Sequence, residues 1–166
     1  HVACRFPART HWLYAQTGFG QPSFNCPTYD EWRALVNPQQ ATLVFASDYL
    51  NNPSSMFGHT FLRLDAPGQT EDTRLLAYAI NFAAETNTKN PFAFAFKGLT
   101  GGYPGLFSLM PYYEKVKEYS DMENRDLWEY QLSLTPDEVR LLVSHLWELR
   151  SVEFPYYFLT RNCSFQ

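Results

Sequence analysis

Residues 52–64 constrain the fold of this chain more than any other stretch. A polar loop containing Pro53 ends at Gly58, and the side chains that follow alternate with a period of two residues, which is typical of a β-strand. One face carries His59, Phe61 and Arg63, and the other carries Thr60, Leu62 and Leu64. His59 begins this strand directly after a glycine, so we predict that its ring is held rigidly and faces a cleft.

Composition limits the kind of protein and its partners. A chain of 166 residues with 45% apolar content suits one domain with a substantial core, here residues 1–166. The net charge of −4, without a basic stripe, argues against nucleic acid as a partner. No apolar run reaches the roughly 18 residues that cross a bilayer. Because the first residue is His1 rather than Met, we expect a processed or excised piece that has lost any targeting signal.

The three cysteines differ in position. Cys4 and Cys26 lie close together near the N-terminus, which predicts a disulfide, an oxidising compartment and one free thiol at Cys163. The alternative is three unrelated buried cysteines, since a free cysteine packs as a small apolar side chain. The spacings typical of zinc ligands do not occur, so we predict no metal, and we expect no cofactor.

Patterning along the chain predicts one α+β domain, an antiparallel sheet with flanking helices. Helices are predicted over 7–16, 29–36 and about 135–150, and strands over 41–47, 59–64 and 74–82. A second hairpin is predicted from the segments 112–120 and 127–134. Residues 92–96 fit either a strand or a tight turn. The glycine-rich segment 98–105 is interpreted as a flexible loop with Tyr103 at its tip covering a site, or as a plain cluster of turns.

The strands that begin at His59 and Arg74 are joined by a short polar turn, which favours an antiparallel hairpin. If Arg74 pairs near Asp65, Asn81 falls close to His59. A buried amide needs a hydrogen-bond partner, and an imidazole nitrogen would serve.

These residues suggest a thiol enzyme. Cys163 would be the nucleophile, His59 the general base and later the acid, and Asn81 the group that orients the imidazole. Glu85 and Asp48 are alternatives to Asn81. No nucleophile elbow surrounds Ser54 and Ser55, so Ser55 is predicted to shape the loop or donate hydrogen bonds to substrate near His59.

Several segments together resemble one bacterial family, the Lnb N-terminal periplasmic domains. The resemblance lies in residues 45–47, 52–64, 78–82, 101–105, 124–130 and 162–164, of which Gly-His-Thr-Phe-Leu-Arg (58–63) and the late Asn-Cys (162–163) are the most specific. The order histidine, polar residue, cysteine is also similar to that of circularly permuted papain-like proteins such as lecithin retinol acyltransferase.

The resemblance implies a periplasmic domain facing or attached to the bacterial membrane. Its cysteine, Cys163 here, would take an acyl chain from a phospholipid donor as a thioester and pass it to the N-terminal amine of a lipoprotein acceptor. In the permuted fold the cysteine opens a helix that helps to stabilise the thiolate. That helix and the membrane helices of full-length Lnb proteins are not in this sequence, so we expect a piece that is C-terminally truncated relative to the full protein. The resemblance carries over the residue roles, and it does not carry over the activity of this piece.

Two other functions compete with acyl transfer. A cysteine peptidase or amidase acting on cell-wall peptide would use the same residues, and would be favoured by a polar, charged cleft. A non-catalytic binding domain would have a structural His59 and a buried, slow thiol. The high aromatic content, 17%, favours the lipid substrate.

Overall fold

The chain folds around an open six-stranded antiparallel sheet. The computed structural model describes residues 1–20, 22–47, 58–122 and 125–163, with the side chains of 120–122 left aside. The strands lie in the order β5-β1-β2-β3-β4-β6. Their bounds are β1 Gln40–Ala46, β2 His59–Asp65, β3 Tyr78–Ala84, β4 Tyr103–Pro111, β5 Leu127–Gln131 and β6 Phe154–Tyr156.

Helices cover both faces of the sheet. The α-helices are α1 Val2–Arg5, α2 Pro7–Thr17, α3 Pro27–Val36, α4 Pro91–Thr100, α5 Tyr112–Val116 and α6 Pro136–Leu149. A 3-10 turn spans Arg74–Leu76, and a π-helical segment spans Lys117–Met122. In the described part of the chain, no helix is both long and apolar enough to cross a membrane.

The two largest clusters of buried side chains lie on opposite faces of the sheet. On one face, Tyr112 and Tyr119 pack on Phe61 and Val44. On the other face, α3 and α6 cover the sheet; the cluster there comprises Val36, Ala41, Leu64, Ile80 and Leu146. The α+β class predicted from the sequence is confirmed.

The predicted helix starts are largely confirmed. Thr135 caps α6 and shares a capping box with Glu138, as the Thr-Pro-Asp-Glu sequence predicts. α2 matches its prediction closely. α3 begins at Pro27, two residues earlier than predicted. Its N-cap residue is Cys26 rather than Thr28.

The predicted disulfide is present between Cys4 and Cys26, and it joins α1 to the start of α3. Cys26 packs with Tyr29 and Trp147, and the Trp147 indole N–H donates to the Cys4 carbonyl at 2.8 Å. The bond therefore fixes the N-terminal helices against α6. The remaining cysteine, Cys163, is not in a disulfide and keeps its thiol.

The predicted second hairpin is wrong. Residues 112–119 are helical, and β5 pairs with β1 instead of with this segment. The apparent alternation conceals a helical pattern, because Tyr112, Lys115 and Tyr119 are the buried positions of the segment, spaced three and four residues apart. Of the charged residues between them, Glu114 and Lys117 are exposed, and Glu118 accepts from the buried Lys115 at 2.7 Å.

The segment 91–111 also differs from its prediction. Residues 92–96 belong to α4, which Asn90 caps by accepting from the amides of Phe92 and Ala93. The glycine-rich segment is not a flexible loop: it holds the end of α4, a left-handed Gly101 and the first residues of β4. Tyr103 therefore begins a strand and is not at a loop tip.

Candidate active site

Three side chains from distant parts of the sequence form one hydrogen-bonded chain. The Cys163 Sγ lies 2.5 Å from Nδ1 of His59, and Nε2 of the same ring lies 2.5 Å from Oδ1 of Asn81. An amide oxygen only accepts, so Nε2 must carry the ring proton of the neutral imidazole. Nδ1 then presents its lone pair to the thiol, which is the tautomer that a general base for Cys163 requires.

Gly58 fixes the point at which β2 begins. Its φ of +89° belongs to the left-handed region, which glycine adopts without steric cost. A Cβ at this position would lie 2.5 Å from the Phe45 ring and 2.9 Å from the carbonyl oxygen of Ala46. Only glycine lets the chain pass this close to β1, and His59 consequently starts the strand with its side chain buried.

The pairing of β2 with β3 brings Asn81 to the imidazole. Leu64 pairs with Tyr78 and Leu62 with Ile80, so Asn81 continues the ladder beside Phe61. Asn81 then lies diagonally across from His59 on the same face of the sheet, within side-chain reach. The sequence placed Asn81 near His59 through a pairing of Arg74 with Asp65. That register is wrong, because Arg74 lies in a 3-10 turn before β3.

The thiol lies in an environment that favours its anion. Burial opposes the charged form, but the hydrogen bond and charge of His59, the backbone amide of Thr60 and the hydroxyl of Tyr156 outweigh it. Together they lower the pKa of Cys163 to about 7. A substantial fraction of the thiol is therefore ionised near neutral pH, which is the form that acts as a nucleophile.

Tyr156 is a site residue that the sequence analysis missed. Its hydroxyl lies 3.7 Å from the Cys163 Sγ, and its side chain is buried at the end of β6. Burial and the negative charge of Cys163 raise the pKa of Tyr156, so the hydroxyl keeps its proton and can donate it to the thiolate. Its position in the aromatic run before Cys163 was the only available signal.

Aromatic rings enclose the imidazole on its other sides. The ring centroids of Tyr119 and Phe61 lie 5.6 and 6.0 Å from that of His59. Arg125 stacks on Tyr119 at 4.7 Å, and its guanidinium donates to the carbonyls of Ala46 and Ser47, where β1 ends. These contacts hold the aromatic wall behind His59. The role of Arg125 was also missed, since nothing in its sequence surroundings indicates it.

The segment that carries Cys163 is fixed by contacts with α4. The Phe158 amide donates to the Gly98 carbonyl at 2.9 Å, and the Asn162 side-chain amide donates to the Phe158 carbonyl at 2.5 Å. Gly98 makes room for this contact, because a Cβ there would lie 2.2 Å from the Phe158 ring. The Asn of the Asn-Cys motif thus has a defined position directly before the thiol.

The other predicted site residues are placed differently. Tyr103 is buried, with its ring 5.7 Å from Phe94 and 6.0 Å from Phe158, and it finds no hydrogen-bond partner for its hydroxyl in the described ranges. Its contact with substrate stays a prediction. Glu85 follows β3 and is exposed, whereas the two ring nitrogens of His59 face Cys163 and Asn81. Ser54, Ser55 and Asp48 lie outside the described residues.

Comparison with known proteins places the chain in a family. Residues 28–166 match the family model of the Lnb N-terminal periplasmic domain, and this match includes His59, Asn81, Tyr156 and Cys163. No curated protein and no solved structure matches the chain. The match covers most of the sequence, and the chain therefore belongs to the Lnb N-terminal periplasmic domain family.

Proposed function

We propose that this periplasmic domain is a cysteine-dependent acyltransferase. It moves a fatty acyl chain from a phospholipid, through a thioester on Cys163, to an amine such as the N-terminus of a lipoprotein. The observation that carries the proposal is the hydrogen-bonded chain from Cys163 through His59 to Asn81, with the thiol pKa lowered to about 7. A structural cysteine has no need of an oriented base.

In the first half of the reaction, the Cys163 proton moves to Nδ1 of His59 and the thiolate attacks the carbonyl carbon of an ester. A carbon–sulfur bond forms, and the bond to the leaving alkoxide breaks. The alkoxide takes the proton from His59 and departs as the hydroxyl of a lysophospholipid. Asn81 keeps the ring oriented throughout, since its oxygen accepts from Nε2 in both protonation states.

In the second half, the acceptor amine attacks the thioester carbonyl. Nδ1 of His59 takes a proton from the attacking nitrogen, an amide bond forms and the carbon–sulfur bond breaks. The released thiolate regains the proton from His59, which restores the starting state. No other reactant is needed, because the energy of the phospholipid ester is conserved in the thioester.

The surroundings of the thiol favour a lipid substrate over cell-wall peptide. Three aromatic side chains lie beside the catalytic groups, namely Phe61, Tyr119 and Tyr156, and each is at most 5% exposed. These buried rings make the surroundings of the thiol apolar. Such surroundings suit an acyl chain better than the polar, charged peptide stem of the cell wall.

Mass spectrometry of the intact protein tests the proposal. After incubation with phosphatidylethanolamine vesicles, the protein should gain the mass of one acyl chain, and hydroxylamine should remove it. Cys163→Ala should gain nothing, and Cys4→Ser/Cys26→Ser, which lacks the other two cysteines, should still gain it. Failure of the wild-type protein to form the adduct while it cleaves a cell-wall peptide would replace this proposal with the amidase.

A further inference from the structure

The outer face of α4 carries large apolar side chains that the fold leaves uncovered. Phe92, Phe96 and Leu99 are 87%, 69% and 54% exposed. They follow one another at intervals of four and three residues, so they form a single stripe along the helix, called here the α4 stripe. Phe94 and Gly98 face the protein instead, against Tyr103 and Phe158. Helices on the surface of a soluble domain normally carry polar residues on the outer face.

The charge around this helix differs from that of the rest of the chain. No Asp or Glu occurs from residue 86 to residue 113, although the whole chain has a net charge of −4. Lys89 precedes α4, and Lys97 lies within it; both are exposed. The segment packed beneath the helix continues the pattern, since residues 154–163 contain no Asp or Glu and Arg161 is exposed.

We propose that the α4 stripe docks the domain on an anionic phospholipid surface. Exposed aromatic and leucine side chains flanked by lysines are the features of a helix that lies in the membrane interface. The apolar side chains would enter the boundary between head groups and acyl chains, while Lys89 reaches the lipid phosphates. Lys97, whose ammonium donates to Thr88 at 3.2 Å, adds positive charge beside the stripe. Charge complementarity favours this partner. The α4 stripe and its neighbouring lysines lack carboxylates, although the protein as a whole is acidic, so anionic lipid head groups are not repelled there.

The position of α4 connects this surface to the thiol. The inner face of the helix contacts Phe158, and Phe158 accepts from Asn162, the residue before Cys163. Docking would hold the segment that carries the thiol about one helix diameter, roughly 10 Å, behind the lipid head groups. The inference rests on the proposed function, for which the acyl donor lies in that same membrane.

Contacts at the two ends of α4 determine how firmly the helix is held against the domain. Asn90 caps its first turn, and Gly101 ends it with a left-handed residue whose Cβ position lies 2.4 Å from the Tyr157 ring. The cap stabilises the start of the helix, and the contact with Tyr157 packs its end against the body of the domain. A lipid-bound α4 would carry the site with it.

Cosedimentation with vesicles tests the proposal. The wild-type protein should bind vesicles of phosphatidylglycerol and phosphatidylethanolamine, and added salt should weaken that binding. Phe92→Ser/Phe96→Ser should weaken it roughly tenfold or more, since it removes most of the apolar area of the stripe. Lys89→Gln should weaken binding to these vesicles and leave binding to phosphatidylcholine vesicles unchanged.

A matched control replaces two equally exposed apolar side chains elsewhere. Leu35 and Leu76 are 62% and 74% exposed, on α3 and on the 3-10 turn. Leu35→Ser/Leu76→Ser should bind like the wild type. Equal binding by the stripe variant and this control would overturn the proposal. So would a concentration-dependent dimer that the stripe variant alone abolishes, since a second copy would then cover the stripe.

The chemistry can be separated from the docking. The stripe variant should keep the wild-type pH profile of Cys163 alkylation, because neither phenylalanine contacts the thiol site. Cys163→Ala should bind vesicles normally. A reactive thiol in a protein that does not bind vesicles would refute the docking surface and leave the thiol chemistry intact. Binding by a protein whose thiol is inert would uphold the surface and refute the chemistry.

Discussion

The Oδ1 atom of Asn81 accepts a hydrogen bond from Nε2 of His59 across two neighbouring strands, at 2.5 Å. This contact determines which ring nitrogen is free, and the free one faces Cys163. The amide adds no charge to a buried site, so the imidazole is oriented without a carboxylate that would compete with the thiolate for the proton.

Asn81→Ala should therefore slow the chemistry without unfolding the domain. The ring loses its orienting partner, and acyl transfer should fall roughly 10- to 100-fold. Asn81→Asp keeps an acceptor oxygen at the same place. It should keep the His59 ring oriented, and its rate of acyl transfer should fall less than that of Asn81→Ala. The measurement is the rate of acyl-adduct formation, with thermal unfolding as the control for folding. Identical rates for Asn81→Ala and the wild type would show that the amide has no orienting role.

The pH dependence of Cys163 alkylation follows from its lowered pKa. With a pKa of about 7, the rate of reaction with iodoacetamide should reach half its maximum near pH 7. In His59→Ala the hydrogen bond and charge that favour the thiolate are gone, while the burial that opposes it remains. The midpoint should then rise to about 8.5 or above, where ordinary thiols titrate. A midpoint that does not move would mean that His59 does not activate the thiol.

Tyr156→Phe removes a hydroxyl that donates to the thiolate and keeps the ring. The pKa of Cys163 should rise, by less than in His59→Ala, because the 3.7 Å contact is weaker than the 2.5 Å one. Tyr157→Phe is the neighbouring control, since its ring lies beneath Gly101. The same alkylation profile measures both variants. A fall in the Cys163 pKa of Tyr156→Phe would contradict the donor role.

Gly58→Ala tests the backbone that positions His59. The added methyl group requires a left-handed alanine and meets the Phe45 ring, so the free energy of unfolding should fall by about 1–3 kcal/mol. Gly68→Ala is a close control, because Gly68 has a φ of +76° with open space around it. Chemical denaturation measures both variants. The amount by which the loss in free energy of unfolding for Gly58→Ala exceeds that for Gly68→Ala measures the clash with β1. Equal losses for the two variants would show that this clash has no energetic cost.

The Cys4–Cys26 disulfide should stabilise the domain without affecting the site. Cys4→Ser/Cys26→Ser should lower the free energy of unfolding by about 3 kcal/mol, as expected for a loop of this length. The pH profile of Cys163 alkylation should not change, because the bond lies in a separate cluster with Trp147. A shifted profile would reveal coupling between the two regions.

Short sequence patterns correctly predicted the elements whose structure depends on residues adjacent in the chain. Alternation after Gly58 predicted β2, and the Thr135 capping box predicted α6. The proximity of Asn81 to His59 was also predicted, although through the wrong register. A pairing of Arg74 with Asp65 would place Asn81 opposite residue 58, whereas the observed register places it opposite Phe61, on the same face as His59.

The parts that were missed depend on tertiary contacts. Tyr119 is buried by packing on Phe61. The mixed polarity of its helix gives no sequence signal for this contact. The helical state of 92–96 is decided by Asn90 at its start and by the fit of Gly98 beneath Phe158. Tyr156 and Arg125 reach the site from an edge strand and from a segment before β5, so their roles appear only once the strand order is known.

His59 and Cys163 are 104 residues apart, and the contact between them spans most of the domain. The thiol acquires its nucleophilic character only when the last segment has docked beside β2. Until then it behaves as an ordinary thiol, largely protonated at neutral pH and slow to attack other sulfur atoms. Cys4 and Cys26, only 22 residues apart, can find each other early. An order of assembly in which the disulfide closes before the last segment docks would keep the activated Cys163 thiol from attacking that disulfide.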